Sequence, residues 1–310
     1  MFAVTKTPPK YLRGQIVEVK IAAEIAATLD ADGALDGVPF MPEMAAFCGR
    51  RLTVRSRVDR TCVEGHGLRR LHNTLLLEDA RCDGALHDGC QRNCLIFWKE
   101  AWLKPASDTD KPASDAAPDA AAGLVTAPVM RGELYHCQST VLAEASDRLP
   151  RWNIVGLFGD VARGELSPVG LVGMLGRTVV NRVRRLAGLP EVGLILGEAR
   201  APKRGKLRLA PGEWVRIKSA DEIKKTLGPD GRNRGLTFEP EMAAYLGRRY
   251  QVDFPVEKII HEETGRMIQL SSTVALKDLY CSGACVKNCP RANPLYWREA
   301  WLERVEPAAG

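Results

Sequence analysis

Gly37-Val-Pro-Phe-Met-Pro-Glu-Met-Ala-Ala-Phe-Cys-Gly-Arg-Arg51 returns later in the same chain as Gly235-Leu-Thr-Phe-Glu-Pro-Glu-Met-Ala-Ala-Tyr-Leu-Gly-Arg-Arg249. The likeness extends in both directions. Upstream, Gly14-Gln-Ile-Val-Glu-Val-Lys20 answers to Gly212-Glu-Trp-Val-Arg-Ile-Lys218. Downstream, each copy passes a cysteine cluster and ends in Phe97-Trp-Lys-Glu-Ala-Trp-Leu103 or Tyr296-Trp-Arg-Glu-Ala-Trp-Leu302. Self-similarity on this scale is the mark of a duplicated folded unit. One copy therefore serves as a control for the other: features kept in both belong to the unit, and features kept in one are candidates for specialisation.

Within each copy the pattern is mainly β. A short strand (16–20, 214–218) leads into a short helix with Ile25/Leu29 or Ile223/Leu227 on one face. Asp32-Gly33 and Asp230-Gly231 mark turns, and Pro42 and Pro240 open a second helical turn that stops at Gly49 and Gly247. Two further strand stretches come next, Leu52–Val58 with Arg70–Ala80 and Tyr250–Val256 with Met267–Leu279. In copy two His261–Gly265 forms a hairpin turn between them. The expected fold is α+β, mainly β with helical insertions: tandem SH3-like barrels flanking a partly helical middle region. The expected division is 1–105 for the first unit, 106–127 for a flexible linker, 128–209 for the middle region and 210–310 for the second unit. The linker is rich in Ala, Asp and Pro, with too little apolar surface to offset its ordering entropy.

The middle region contains one strong helix signal. Ser167-Pro168 suits an N-cap and first turn, Gly188 suits a stop, and Val172, Leu175, Val179, Val183 and Leu186 form an apolar stripe. Its arginines fall elsewhere, so the expectation is a surface helix packed by its stripe onto a barrel. A membrane-surface or nucleic-acid helix is the sharper alternative.

Bulk properties set limits. The chain has 310 residues, 26% of them charged, with a formal net charge of +6. That mild excess permits an anionic partner without specifying one. No apolar run approaches the roughly 20 residues of a membrane span, and the opening residues lack a secretory apolar core, so a cytoplasmic location is expected. Phosphate loops, dinucleotide glycine motifs and nucleophile elbows are missing from the sequence. No catalytic residue is assigned, and whether the chain is an enzyme is left open. An unknown small molecule or protein is the expected partner, with nucleic acid not favoured.

The nine cysteines carry the chemistry. Cys82, Cys90 and Cys94 cluster in copy one, and Cys281, Cys285 and Cys289 in copy two, each set containing a Cys-x3-Cys pair. The first and last members of the two sets align if copy two is taken as shorter between its first two sulfurs. Clustered thiols in a reducing compartment point to metal. Three thiolates need a fourth ligand or leave an open position. Cys62 completes one set of four with Cys82, Cys90 and Cys94, and Cys137 completes another with Cys281, Cys285 and Cys289. His87, His261 and Cys48 are alternates, with Cys48 otherwise a buried thiol. Neither copy has the Cys-x2-Cys knuckle frequent in structural zinc sites, which tips the expectation to iron–sulfur clusters, 4Fe-4S in type and up to two in number, over zinc.

Two short resemblances point the same way. Cys289-Pro290 resembles the Cys-Pro that closes a ferredoxin cluster motif. Cys82-Asp-Gly-Ala-Leu-His87 resembles the CDGSH iron–sulfur motif, with one extra residue before the histidine and without that family's upstream Cys-x-Cys. The resemblance covers about a tenth of one copy at most, too little of the chain to assign the family.

The paired tryptophans Trp98/Trp102 and Trp297/Trp301 are expected in the core, with Lys99-Glu100 and Arg298-Glu299 as solvated pairs between them. Glu43 and Glu241 are expected to pair with Arg50-Arg51 and Arg248-Arg249.

Overall fold

The computed structural model describes residues 10–106, 126–150, 154–200, 205–283 and 288–306. Nearly all of the expected linker and Cys285 lie outside them.

Each copy builds one five-stranded antiparallel sheet. In the first, the spatial order is Leu95–Lys99, Thr74–Arg81, Arg51–Arg57, Ile16–Val19, Leu103–Pro105. In the second it is Pro294–Arg298, Thr273–Tyr280, Arg249–Pro255, Trp214–Ile217, Leu302–Arg304. Helices α1 (Ala22–Ala26) and α4 (Ala220–Lys224) come after the first strand of each unit. The turns at Pro42–Phe47 and Pro240–Tyr245 are 3-10 helices. The protein is mainly β, and its two curled half-barrels fit a tandem barrel repeat.

The curl has a local cause. Pairing registers shift between Val54 and Ser56 and between Leu76 and Arg81, with the same irregularities at Val252/Phe254 and Ala275/Tyr280. Asp79 and Asp278 sit inside the second shift with φ of 59° and 62°. Bulges of this kind bend a strand and re-aim the chain beyond it. In both units the re-aimed segment is the cysteine loop.

The long strand expected over Arg70–Ala80 is in fact two, Gly67–Arg70 and Thr74–Arg81. Its counterpart divides into Met267–Gln269 and Thr273–Tyr280. Asn73 and Ser272, both with positive φ near 50°, turn the chain at the break. Gly67–Arg70 then forms a hairpin with Thr61–Val63, and Met267–Gln269 with Lys258–Ile260.

All four repeat tryptophans are fully buried. Phe40 lies edge-on to Trp98 and Trp102 at 6.3 and 5.3 Å, and Phe238 repeats this with Trp297 and Trp301 at 6.1 and 5.2 Å. Such pairs add about 0.5–1.5 kcal/mol beyond burial. Of the charged residues between the tryptophans, Lys99, Arg298 and Glu299 are buried and Glu100 is half-buried, contrary to the expectation of solvated pairs. Lys99 Nζ reaches Asp36 at 3.0 Å, and Glu299 accepts from the N–H groups of Leu207 and Leu209. A strand that ends in a 3-10 turn points these side chains inward, where each finds a partner.

The middle region divides. Residues 126–150 pack mostly on the first unit, where the Gln138 amide bonds both backbone groups of Phe97 and the Pro39 carbonyl, and Tyr135 N–H reaches across to the Gly265 carbonyl of the second. Helices α2 (Ile154–Ala162) and α3 (Pro168–Leu186) come next. Ser167 caps α3 as expected, accepting from Gly170 N–H at 2.9 Å. Most of the stripe faces solvent: Val172 is 69%, Val179 62%, Val183 60% and Leu186 82% exposed, and Leu175 is half-buried. Instead α3 buries Leu171, and its polar Asn181 and Arg184 hold the chain at 190–192.

Candidate metal centres

Both cysteine loops are built by the same backbone bonds. Cys82 N–H donates to Cys94 O at 2.9 Å, and Cys281 N–H to Asn293 O at 2.8 Å. Gly84 (φ +71°) and Gly283 (φ +68°) turn the loop so tightly that a Cβ would sit 1.9 Å from Cys90 O or 2.1 Å from Cys289 O. These bonds register the loops without a gap, each residue 199 positions from its counterpart, as Phe97 is from Tyr296. Cys82 thus corresponds to Cys281 and Cys90 to Cys289. The two Cys-x3-Cys pairs are not equivalent: Cys94 answers to Asn293, and Cys285 to Leu86. The alignment expected from cysteine spacing alone, with copy two shortened, is corrected accordingly. The shared element is Cys-x-Gly-x5-Cys-x-Arg.

The units exchange contacts reciprocally. Ile260 N–H, on the second unit's hairpin, donates to Cys90 Sγ at 3.3 Å, and Cys62 N–H, on the first unit's hairpin, donates to Cys289 Sγ at 3.3 Å. Arg92 bonds the Ile260 carbonyl at 3.0 Å and Arg291 the Cys62 carbonyl at 2.9 Å. Each cysteine loop is therefore closed by the other unit's hairpin.

The exchange redistributes the sulfurs. Cys82, Cys90, Cys94 and Cys137 line one narrow cavity of about 30 Å³ together with His87, Met41 and Ile260. Cys137 is held there because neighbouring Gln138 is locked onto Phe97. Cys62 is instead 3.5 Å, sulfur to sulfur, from Cys289. Cys281 and Cys289 line a second, wider pocket of about 200 Å³ whose other walls include Arg13, Arg55, Arg57 and Asp160. The expected fours exchange one member each, Cys137 going to the first and Cys62 to the second. Cys48 is fully buried in the first core, as its alternative reading required. His261 turns to Thr264 (3.0 Å) and Glu64 (3.6 Å).

Glu43 was not foreseen as part of the site, and Glu241 was expected on the neighbouring arginines. The Cys82 thiol donates to Glu43 Oε1 at 3.1 Å, and His87 Nδ1 lies 3.4 Å from the same oxygen. Glu241 accepts from Ser282 N–H and Oγ–H on the equivalent loop. The signal available in the sequence was the retention of this glutamate in both copies. Both ring nitrogens of His87 and Glu43 Oε2 are buried without a hydrogen-bond partner. Among the described residues, Glu43, Cys82 and His87 form the trio whose ligand atoms lie within 4.8 Å of one another.

Electrostatics at the two centres differ. Burial pushes the Cys82, Cys90 and Cys137 thiols up, Cys137 to about 11, and Glu43 adds to the effect at Cys82. The hydrogen bond from the Cys62 thiol brings Cys289 down to about 6 against its burial, with Arg291 assisting. Cys62 is raised by giving that bond and by burial. Glu262 sits between Arg291 (2.7 Å) and Arg92 (3.0 Å). Burial works to raise its carboxyl, but the two guanidiniums prevail and hold it below the ordinary carboxylate range.

Soft sulfur donors gathered at one cavity, beside a buried histidine whose Nε2 has no hydrogen-bond partner, are chemically suited to zinc or to an iron–sulfur cluster. No model of a protein family matches the chain, and neither a curated protein nor a solved structure matches it. Among the described residues no helix is long and apolar enough to cross a membrane.

Proposed function

We propose that the protein is a cytoplasmic metalloprotein of two SH3-like barrels holding two cysteine-ligated centres, each an iron–sulfur cluster. Cys82, Cys90, Cys94 and Cys137 hold the first, with His87 as alternate. Cys62, Cys281, Cys285 and Cys289 hold the second. The observation that carries this reading is the convergence of four thiols, from a loop and from a segment more than 40 residues downstream, on one cavity.

The centres have different tasks on this reading. The first, narrow and walled by both units, is structural or passes electrons. The second adjoins the wider polar pocket and is the redox or substrate-binding centre, its ligand a small polar molecule.

A second reading has an observation of its own. The Glu43–Cys82–His87 trio is compact enough for a single ion and favours zinc as a staple, with the barrels then serving as an adaptor for a protein or nucleic acid. Anaerobic purification, with an absorption spectrum and metal analysis on one sample, decides between them. Broad visible absorption with about four irons per cubane site supports the cluster reading. A colourless protein holding zinc overturns it in favour of the staple.

A further inference from the structure

One turn carries opposite charge in the two copies. Asp30-Ala-Asp-Gly-Ala-Leu-Asp-Gly37 in the first answers to Gly228-Pro-Asp-Gly-Arg-Asn-Arg-Gly235 in the second. The backbone is the same in both: Asp30 N–H donates to Ala34 O and Gly228 N–H to Arg232 O, each at 2.8 Å. The turn therefore does not require Asp36, which stands where copy two has Arg234. In the first unit residues 136–147 lie against this turn, and a Cβ at Gly37 would sit 3.3 Å from Ala145 Cβ. The two walls enclose a cavity of about 330 Å³, larger than either cysteine cavity.

Its exposed lining is acidic and its buried lining is largely apolar. Asp30, Asp32 and Asp36 stand on one wall and Glu144 and Asp147 on the other, all exposed, whereas Ala34, His136 and Val141 are buried. Arg131 meets Asp32 at 3.2 Å, Lys99 meets Asp36 at 3.0 Å, and His72 meets Asp147 at 2.7 Å. Asp30 and Glu144 have no ion-pair partner among the described residues. With the histidines neutral, five carboxylates thus face two cations, in a chain whose net charge is +6. A concave surface of one sign focuses the field and draws in the opposite charge. An independent feature also points to an occupant. His136 lines the cavity, is 9% exposed, and its ring has no hydrogen-bond partner among the described residues. Buried polar groups are ordinarily partnered, and an ammonium N–H is the donor that an imidazole nitrogen accepts. A single inorganic ion fits poorly. Among the described residues, three ligand atoms come within 4.8 Å of one another at Glu43, Cys82 and His87, not in this cavity. Carboxylates on two facing walls, with apolar side chains between them, suit two or more ammonium groups joined by methylenes.

We propose that this cavity binds a small aliphatic polyamine. Its ammonium groups pair with carboxylates of both walls, its methylenes lie over Ala34 and Val141, and one N–H is given to His136. The proposal does not depend on which metal, if any, the cysteines hold.

The test is isothermal titration calorimetry of the full chain with spermidine, and with butylamine, magnesium and a tetralysine peptide as comparisons. Saturable binding of one spermidine is expected, at least about tenfold tighter than butylamine. The affinity falls in about 1 M salt, where charges more than a few ångströms apart are screened. Glu144→Gln with Asp147→Asn weakens binding at least about tenfold. Both sites are exposed, so circular dichroism and thermal unfolding without ligand remain those of wild type. Asp253→Asn with Glu257→Gln changes the formal charge equally at exposed positions outside the cavity and leaves binding unchanged. His136→Phe keeps an aromatic ring, removes the acceptor and weakens binding several-fold. Absence of saturable binding overturns the proposal, as does indifference to His136→Phe. Equal losses in the two double variants reduce the effect to overall charge and overturn it too. Displacement of spermidine by an equal concentration of magnesium assigns the cavity to an inorganic cation. Tetralysine that binds more tightly than spermidine, and is lost in Glu144→Gln with Asp147→Asn, assigns it to a basic protein segment. Either result has the same consequence.

Discussion

Gly84 and Gly283 are where single residues matter most. Each has a positive φ, and a Cβ at either would overlap a carbonyl oxygen of its own cysteine loop. Neither the backbone conformation nor the space admits a side chain. Gly84→Ala and Gly283→Ala should each cost about 3 kcal/mol, read as a lower urea midpoint at unchanged slope. A midpoint equal to that of wild type would mean the loop can open at little cost. At the same scale, Cys48→Ser should leave metal content unchanged. Cys48 lies in the apolar core and its thiol is raised to about 11 by burial, whereas the ligand candidates line cavities or pair with one another. Glycine stands two residues after the first cysteine in both copies, but its role was not read from the sequence. The involvement of Glu43 was not read either, because a carboxylate kept in both copies reads equally well as an ion-pair partner until Cys82 and His87 are seen beside it.

Among the elements, the two hairpins Thr61–Val63/Gly67–Arg70 and Lys258–Ile260/Met267–Gln269 decide how the units meet. Their joint is Glu262, buried at 2% exposure between Arg92 and Arg291. Glu262→Gln leaves two guanidiniums with a weaker partner and should destabilise the protein by about 3–5 kcal/mol. The depressed carboxyl sets the sign of the pH dependence. Its contribution is present above the ordinary glutamate value of about 4.3 and is lost as pH falls through the lower folded-state value. The gap between wild type and Glu262→Gln in urea unfolding should be widest near neutrality and shrink below about pH 4. A gap that grows on acidification would exclude the carboxylate as the stabilising group. Helix α3 shows the opposite limit of reading elements from periodicity. Its extent, cap and stripe were all visible in the sequence, but a stripe is equally apolar whether it faces a barrel or solvent.

For the whole molecule, the reciprocal exchange of hairpins sets which cysteines lie together, and so the composition of the two proposed centres. It predicts non-additive losses. If Cys82 and Cys137 serve one centre, their double serine variant should retain roughly half the metal, like either single variant. Cys62→Ser combined with Cys82→Ser should lose nearly all of it, since these two serve different centres. Metal analysis on the two double variants is decisive. The reverse pattern would restore the partition by proximity in sequence, with Cys62 beside Cys82.

From the sequence alone came the duplication, the mainly β character and the burial of the tryptophans. These rest on local pattern, which repeats and hydrophobic spacing carry directly. The tertiary structure decided which copy's hairpin closes which loop, that Cys94 answers to an asparagine, and that α3 turns its stripe outward. Each of these depends on contacts between segments up to 227 residues apart, as Cys62 and Cys289 are. Spacing along the chain holds no information about such contacts, because a loop can be closed as well by the neighbouring unit as by its own.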